Sequence, residues 1–389
     1  MSDRFHLVGS LLRPQELLAH KTVIETRADV TYPFHDDVPG LREAEDRAVS
    51  DVIAAQIEHD IAVLTDGEHS RSLWHTDFVW GLQGTERHLA ERGYIFRDHD
   101  GEGAFETRRD IGVKVVAPLS GKGHHFIDTY RRLVELADGR PTKLSIPSPG
   151  HIFGELSGLL AGLPHAGREE GVYATTDDLS AGLLNAYQEF VTEYAAAGGT
   201  ILQLDDCLWE LFADDNPSSP FTGDAVDLDR VRGVAEQFIG LNNAVIDHAH
   251  ELGLQVWTHN CRGNYESRHM GAGSYAAIAD LFLRGQRYDR FFLEWDDERA
   301  GSIEALRALQ DSDADVVLGL LSSKTSTLDD EQRVRSLLEQ ATTILPKERL
   351  HLSHQCGFAS CDSGNELTAD EQWAKVRQGQ ELAAAFWGE

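Results

Sequence analysis

A chain of 389 residues that is 41% hydrophobic and 26% charged carries enough apolar material for a large buried core, which excludes a disordered or fibrous protein. Lys and Arg total 35 against 65 Asp and Glu, and the formal charge of −30 opposes nucleic acid or an anionic membrane as partner. The four cysteines are too few to staple a chain this long, and no basic-then-apolar leader or run near the roughly 18 apolar residues of a membrane span occurs, so the reading is a cytoplasmic protein.

Short β-rich runs ending in polar residues alternate with longer helical patterns, the rhythm of an α/β protein of the (β/α)8 TIM-barrel kind. In chain order the expected strands are 6–9, 61–66, 143–147, 200–205, 254–259, 290–294, 315–319 and 350–354. Long loop insertions follow strands 2 and 3, at about 81–142 and 148–180, where Gly, His and charged residues break any period. Within the first, 111–117 alternates well enough to be an extra strand in a hairpin. Leu228, Val231, Val234, Phe238, Leu241, Val245 and Ile246 recur at helical spacing and stop near Gly253. Thr327-Leu328-Asp329-Asp330 has the form of a capping box before a further apolar stripe, Val334 to Leu345. With no internal repeat or linker, 1–389 reads as a single barrel domain.

The fragment Val256-Trp257-Thr258-His259-Asn260-Cys261 closes the fifth expected strand. Residues i and i+2 of a strand project to one side, so His259 and Cys261 can share one ion. Alone, a His-x-Cys pair is more often packing than a site. Two further strand ends change that weight, one closing on Glu294 and one running His354-Gln355-Cys356-Gly357. One His, two Cys and one Glu suit Zn²⁺, since thiolate and imidazole are good zinc ligands and a carboxylate can be displaced by substrate. In a parallel barrel all four face the carboxyl end, where barrel active sites lie. Cys361, in a polar loop, and Cys207, beside a strand end, stay outside the set; His354 reads as facing away or as a hydrogen-bonding partner.

A second group is acidic. Asp66-Gly67-Glu68 ends the second expected strand and Asp205-Asp206 the fourth. Carboxylates beside a metal can bind an ammonium group, accept a proton or hold a second ion, and the residues alone leave that choice open. An amino-acid substrate fits them well. Trp74, His75, Asp77, Phe78 and Trp80 follow closely, as an aromatic wall for a donor ring or as core packing.

Taken together, Leu7-Val8-Gly9-Ser10, Asp66-Gly67-Glu68, Leu202-Gln203-Leu204-Asp205, His259-x-Cys261, Leu293-Glu294 and Leu350-x-Leu352-x-x-x-Cys356-Gly357 resemble, over nearly the whole chain, the catalytic domain of cobalamin-independent methionine synthase. That family belongs to the barrel superfamily that includes uroporphyrinogen decarboxylase. The resemblance implies catalytic zinc on His259, Cys261, Glu294 and Cys356, and homocysteine held by Ser10, Glu68 and Asp205. It implies S-methyl transfer to homocysteine from methyltetrahydrofolate or a methylated corrinoid, giving methionine. Ser322 and Lys324 stand where the long enzymes carry an Asp-x-His pattern, so Lys324 is expected in a catalytic place together with Asp205. Asp206-Cys207 replaces a Glu-Pro step, and the amino-terminal half of the long enzymes has no counterpart, which leaves the donor open. The related epoxyalkane:coenzyme M transferases activate a sulfonated thiol at a similar site. A sulfonate needs cations, and Glu68 and Asp205 carry the opposite charge. A metal-free porphyrin-type decarboxylase would want an arginine-lined cleft instead.

Overall fold

The computed structural model describes residues 3–97, 104–157, 166–213 and 228–388. Among them run twelve strands: β1 (Phe5–His6), β2 (Gln83–His88), β3 (Ile95–Arg97), β4 (Ala104–Glu106), β5 (Gly112–Ser120), β6 (Lys143–Pro147), β7 (Ala166–Arg168), β8 (Ile201–Asp205), β9 (Gln255–Asn260), β10 (Arg290–Glu294), β11 (Asp315–Leu321) and β12 (Leu350–His354). Seven of them form one curled parallel sheet in the order β1-β12-β11-β10-β9-β8-β6. These are seven of the eight expected barrel strands. The eighth, 61–66, joins through the single parallel bridge Leu64↔Thr142, with Leu64 N–H donating to Pro141 O (2.9 Å) and Lys143 N–H to Leu64 O (3.0 Å).

Successive strand residues face opposite ways, and here the two faces carry different chemistry. Val256, Phe291, Leu293, Val316, Leu318, Leu350 and Leu352 point outward into the main core, shared with the covering helices. The alternate set, Val8, Ile201, Trp257, Phe292 and Val317, forms a separate apolar cluster inside the curl. Lys143 reaches into that interior, donating to Leu7 O (2.7 Å), Val8 O (2.8 Å) and Gln203 Oε1 (2.6 Å). Following the inward set toward the carboxyl ends gives Ser10, Asp205, His259, Cys261 and Glu294, so one parity places both floor and candidate site.

The expected extra strand is β5, paired antiparallel with β2 and parallel with β7; β3 and β4 make a separate hairpin. Arg108 ties this insertion to the loop after β12 through Asp110 Oδ1 (2.5 Å) and Asp362 Oδ1 (2.5 Å). The second insertion opens with a helix, Pro149–Ser157; 98–103 and 158–165 of the two insertions lie outside the described residues. In the helix Leu228–Glu251, Val234, Phe238, Leu241, Val245 and Ile246 are buried as their spacing predicts, while the side chains of Leu228 and Val231 lie outside the described residues. The expected Thr327 capping box does not form. Helix Glu331–Thr342 is capped by Asp330, whose carboxylate accepts from Gln332 N–H (2.8 Å) and Arg333 N–H (3.1 Å), a stronger local arrangement than a box begun three residues earlier. No helix among the described residues is long and apolar enough to cross a membrane.

Candidate active site

His259, Cys261, Glu294 and Cys356 converge at the carboxyl end of the sheet, with one ligand atom from each within 4.8 Å of all the others. Cys261 Sγ lies 3.7 Å from Cys356 Sγ, and His259 Nε2 lies 3.7 Å from Glu294 Oε1. His259 and Phe292 are register partners across β9 and β10, which sets Glu294 one inward position beyond the histidine. Cys356 belongs to neither parity. It arrives from the turn two residues past β12, where a Cβ on Gly357 would stand 2.0 Å from Ser10 Oγ, so any larger residue would push the Ser10 hydroxyl out of place.

All four side chains are buried, yet three of their polar atoms are left bare. Neither ring nitrogen of His259 has a hydrogen-bond partner, and nor has Glu294 Oε2. Such groups are costly to bury unless something else satisfies them. Burial raises the Glu294 pKa; contact with neighbouring thiols and burial push Cys261 and Cys356 well above the ordinary thiol range. A divalent cation would resolve each of these at once, holding both thiols as thiolates and satisfying the imidazole and the carboxylate, and the S₂NO donor set suits zinc. Arg262 N–H on Glu294 Oε1 (3.1 Å), Gly263 N–H on Cys261 Sγ (3.3 Å) and Tyr275 Oη accepting from Glu294 N–H (2.9 Å) fix the ligands in place.

The acidic group lies in the same cavity, which Ser10, Glu68 and Asp205 line together with His259, Cys261 and Cys356. Glu68 sits in the left-handed region at φ 59°, held there by its own N–H on Asp66 Oδ1 (3.0 Å). Its Oε1 accepts from Ser145 Oγ (2.9 Å), while Oε2 is buried without a partner. Asp205 accepts from Gln203 Nε2 (2.8 Å), and burial together with the charge of Glu68 raises its pKa to about 8. Two carboxylates, one with an oxygen that accepts no hydrogen bond, are a receptor for a cation.

Lys324 stands outside this group, on the Glu294 side. Its Nζ donates to Gly263 O (3.1 Å), and it is not among the described residues that line the cavity. His354 faces outward against Phe5 and Phe358. Cys361 lines the cavity with Sγ 3.1 Å from Ser363 Oγ, apart from the four ligands. Cys207, expected only to pack, lines the cavity too. The aromatic run divides: Trp74 and His75 line the cavity, Phe78 and Trp80 are core, and Asp77 accepts from the N–H groups of Ser72 (3.1 Å) and Leu73 (2.9 Å). Asp206, read with Asp205 as facing the mouth, instead accepts from Ser148 Oγ (2.6 Å) and Trp209 Nε1 (3.0 Å).

Sequence reasoning missed a third cluster, His75, His151 and Glu155, which lines the same cavity. His151 and Glu155 are one helical turn apart on Pro149–Ser157, a His-x-x-x-Glu spacing that follows a strand end directly. That spacing was the available signal.

No family model matches the chain. The Bacillus subtilis protein YxjH is 32% identical over 384 residues, covering 98% of this chain and 93% of YxjH. The chain belongs to the YxjH family. YxjH is itself uncharacterized. Among solved structures, one described as a candidate vitamin-B12-independent methionine synthase from Listeria monocytogenes is 27% identical, with a TM-score of 0.69 over 99% of this chain and 97% of that one. A B12-independent methionine synthase from Shewanella sp. W3-18-1, in complex with selenomethionine, is 18% identical with a TM-score of 0.70, over 99% and 98% of the two chains. At that identity the second shows the shared fold. The YxjH family thus has the fold of B12-independent methionine synthases.

Proposed function

We propose that the chain is a cytoplasmic, zinc-dependent S-methyltransferase that moves a methyl group from methyltetrahydrofolate or a methylated corrinoid to homocysteine, forming methionine. In this reading the whole chain is one TIM-barrel catalytic unit with 61–66 as its eighth stave. The observation that carries the reading is the convergence of His259, Cys261, Glu294 and Cys356 beside the unpartnered Glu68 Oε2.

His259, Cys261, Glu294 and Cys356 would hold the zinc. Bound there, zinc supplies thiol activation, lowering the pKa of a coordinated thiol so that a thiolate is present at neutral pH. The remaining work falls to the chain. Glu68 and Asp205 take the substrate ammonium, Ser10 hydrogen-bonds its polar end, and together they aim the sulfur at the incoming methyl carbon. Of the pair expected in a catalytic place, Asp205 touches substrate, while Lys324 acts through Gly263, steadying the turn that carries Cys261.

Charge supports an amino thiol over a sulfonated one. Among the described residues no Lys or Arg lines the cavity. Arg13 spends its guanidinium on the carbonyls of Ala359, Cys361, Glu68 and Arg71, and Arg71 stacks on Phe126 beside Glu68. The test is to offer zinc-loaded protein homocysteine or coenzyme M, with methyltetrahydrofolate or methylcobalamin, and to identify products by mass spectrometry. Methionine from at least one donor, with coenzyme M unmodified, is expected. Methylation of coenzyme M would transfer the reading to a sulfonated thiol, and no product from either thiol would sink it.

A further inference from the structure

Outside the cavity that holds the thiol site, His35, Glu45 and His125 come together, with one ligand atom from each within 4.8 Å of the other two. They arrive from three parts of the chain: the segment 26–40, the helix Leu41–Glu58 and the first residue of the helix His125–Leu136. His35 Nε2 lies 2.6 Å from Glu45 Oε2, and the His125 ring meets that of His35 edge-on, with centroids 5.2 Å apart. The other oxygen of Glu45 accepts from Lys21 Nζ at 2.7 Å, on the helix Gln15–Glu25. The His35 and Glu45 side chains are 5% and 7% exposed. His125 is half-buried, which leaves the group a way in from solvent.

The packing here leaves ligand capacity unspent. His35 Nδ1 is buried without a partner, and the His125 ring, in edge contact with Tyr32 and His35, makes no hydrogen bond among the described residues. Buried polar side chains are ordinarily paired, and two imidazoles with one carboxylate are a donor set that suits zinc and its first-row neighbours. The other His₂Glu group, His75, His151 and Glu155, has the same composition but the wrong protonation. Burial pulls the His151 pKa down, but Asp206 and Glu155 outweigh it and hold it at about 9, and a ring that keeps its proton at neutral pH is a poor ligand. Burial drives His125 down to about 4 instead, so its ring is neutral. Burial pushes Glu45 up, but Lys21 and His35 outweigh it and keep the carboxylate ionised.

We propose that His35, Glu45 and His125 form a second metal site, which takes a divalent first-row transition cation of the zinc class and clips 26–40 and the helix Leu41–Glu58 to the helix His125–Leu136. One ion about 2 Å from His35 Nε2 and from Glu45 Oε2 holds those atoms about 3 Å apart, so their contact has to widen by only a few tenths of an ångström. The proton that His35 shares with Glu45 moves to Nδ1 or to solvent as the ion enters. Water completes the coordination on the half-buried side. No thiolate contributes, and Lys21 keeps its charge on the same carboxylate, so this site is weaker than the one built on Cys261 and Cys356 and fills only when metal is supplied. Purified protein therefore carries its zinc on the thiolates. The second site is independent of the methyltransferase reading and stands or falls without it.

The experiment adds cobalt(II) to protein already given one equivalent of zinc, and follows it by calorimetric titration and cobalt-edge X-ray absorption. Wild type is compared with His125→Gln and with His250→Gln, an exposed histidine outside the cluster. Wild type should take up one equivalent of cobalt with a micromolar Kd, and the bound cobalt should show two imidazoles among nitrogen and oxygen neighbours and no sulfur. Its melting temperature should rise by about 3 °C when free cobalt exceeds Kd about 100-fold. His125→Gln should bind cobalt at least about tenfold more weakly, while His250→Gln matches wild type. Because the His125 ring makes no hydrogen bond, His125→Gln should melt with wild type before cobalt is added; if it melts lower, the cobalt-edge neighbours of wild type decide. No uptake of cobalt by wild type, sulfur neighbours on the cobalt it binds, fewer than two imidazoles, or equal affinity in His125→Gln would each overturn the site.

Discussion

Cys356→Ser should bind zinc at least ~100-fold more weakly than wild type and should lose methyl transfer with it, since removing mere hydrogen-bonding partners of metal ligands already costs 10- to 100-fold. Serine keeps the size of the side chain, so the fold has little reason to change, but its hydroxyl is a poor substitute for a thiolate on zinc. Cys361→Ser is the matched control. It lines the same cavity, but its sulfur sits on Ser363 outside the ligand group, and zinc affinity should be unaltered. Competition against a chromophoric chelator reads both variants, and equal affinities for the two would contradict the ligand assignment.

The second large effect belongs to Asp205→Asn, which should weaken homocysteine binding by about 1.5–3 kcal/mol, or roughly 10- to 100-fold, the usual worth of a hydrogen bond to a charged group. Its pH behaviour is distinctive. Burial and Glu68 raise the Asp205 pKa from its ordinary 3.8 to about 8, so across that window the folded ligand-free protein holds a proton that the unfolded chain has released. Stability of the ligand-free protein therefore falls as pH rises through the window. Asparagine removes the penalty. Ligand-free Asp205→Asn should melt higher than wild type at pH 8, with the gap closing toward pH 4, even as it loses substrate. Lys143, pulled down to about 7 by burial against the opposing charge of Asp205, acts in the opposite sense above that pH, and in the variant it loses that support, which narrows the gap. In wild type, homocysteine affinity should grow as Asp205 ionises up to about pH 8, and in the variant that rise should vanish. Calorimetric titrations and thermal melts across pH 5–9 check both signs; a variant that melts lower than wild type at pH 8 would contradict them.

What the sequence disclosed follows the range over which its signals act. The strand parity that sends Trp257, His259 and Cys261 one way and Val256 and Thr258 the other is a period of two, visible in any six residues. Ligands lying on that parity, His259, Cys261 and Glu294, were therefore legible, and Cys356 was reached through the same strand-end logic although it sits in a turn beyond β12. The segment 61–66 shows where local pattern ends: its residues look like a strand, but a ladder needs a neighbour in register, and only Leu64 finds one. Asp330 displaced Thr327 as helix cap because, of two acceptable caps three residues apart, its carboxylate accepts from two N–H groups at once. His151 and Glu155 were hidden inside an insertion without a clear period. Their importance comes from Tyr94, His75 and Asp206, which reach them from three other segments. Gln203 and Ser145, which hold Asp205 and Glu68, read as ordinary inward strand residues until both carboxylates are seen above them.

The central claim is that His259, Cys261, Glu294 and Cys356 form a zinc site that takes a substrate thiol. Zinc-edge X-ray absorption on purified protein of measured metal content, with and without homocysteine, tests it most directly. The account predicts about one Zn²⁺ per chain with two sulfur neighbours from Cys261 and Cys356, rising to three when homocysteine is added. A protein that stays metal-free after reconstitution, or a sulfur count unmoved by homocysteine, would contradict it.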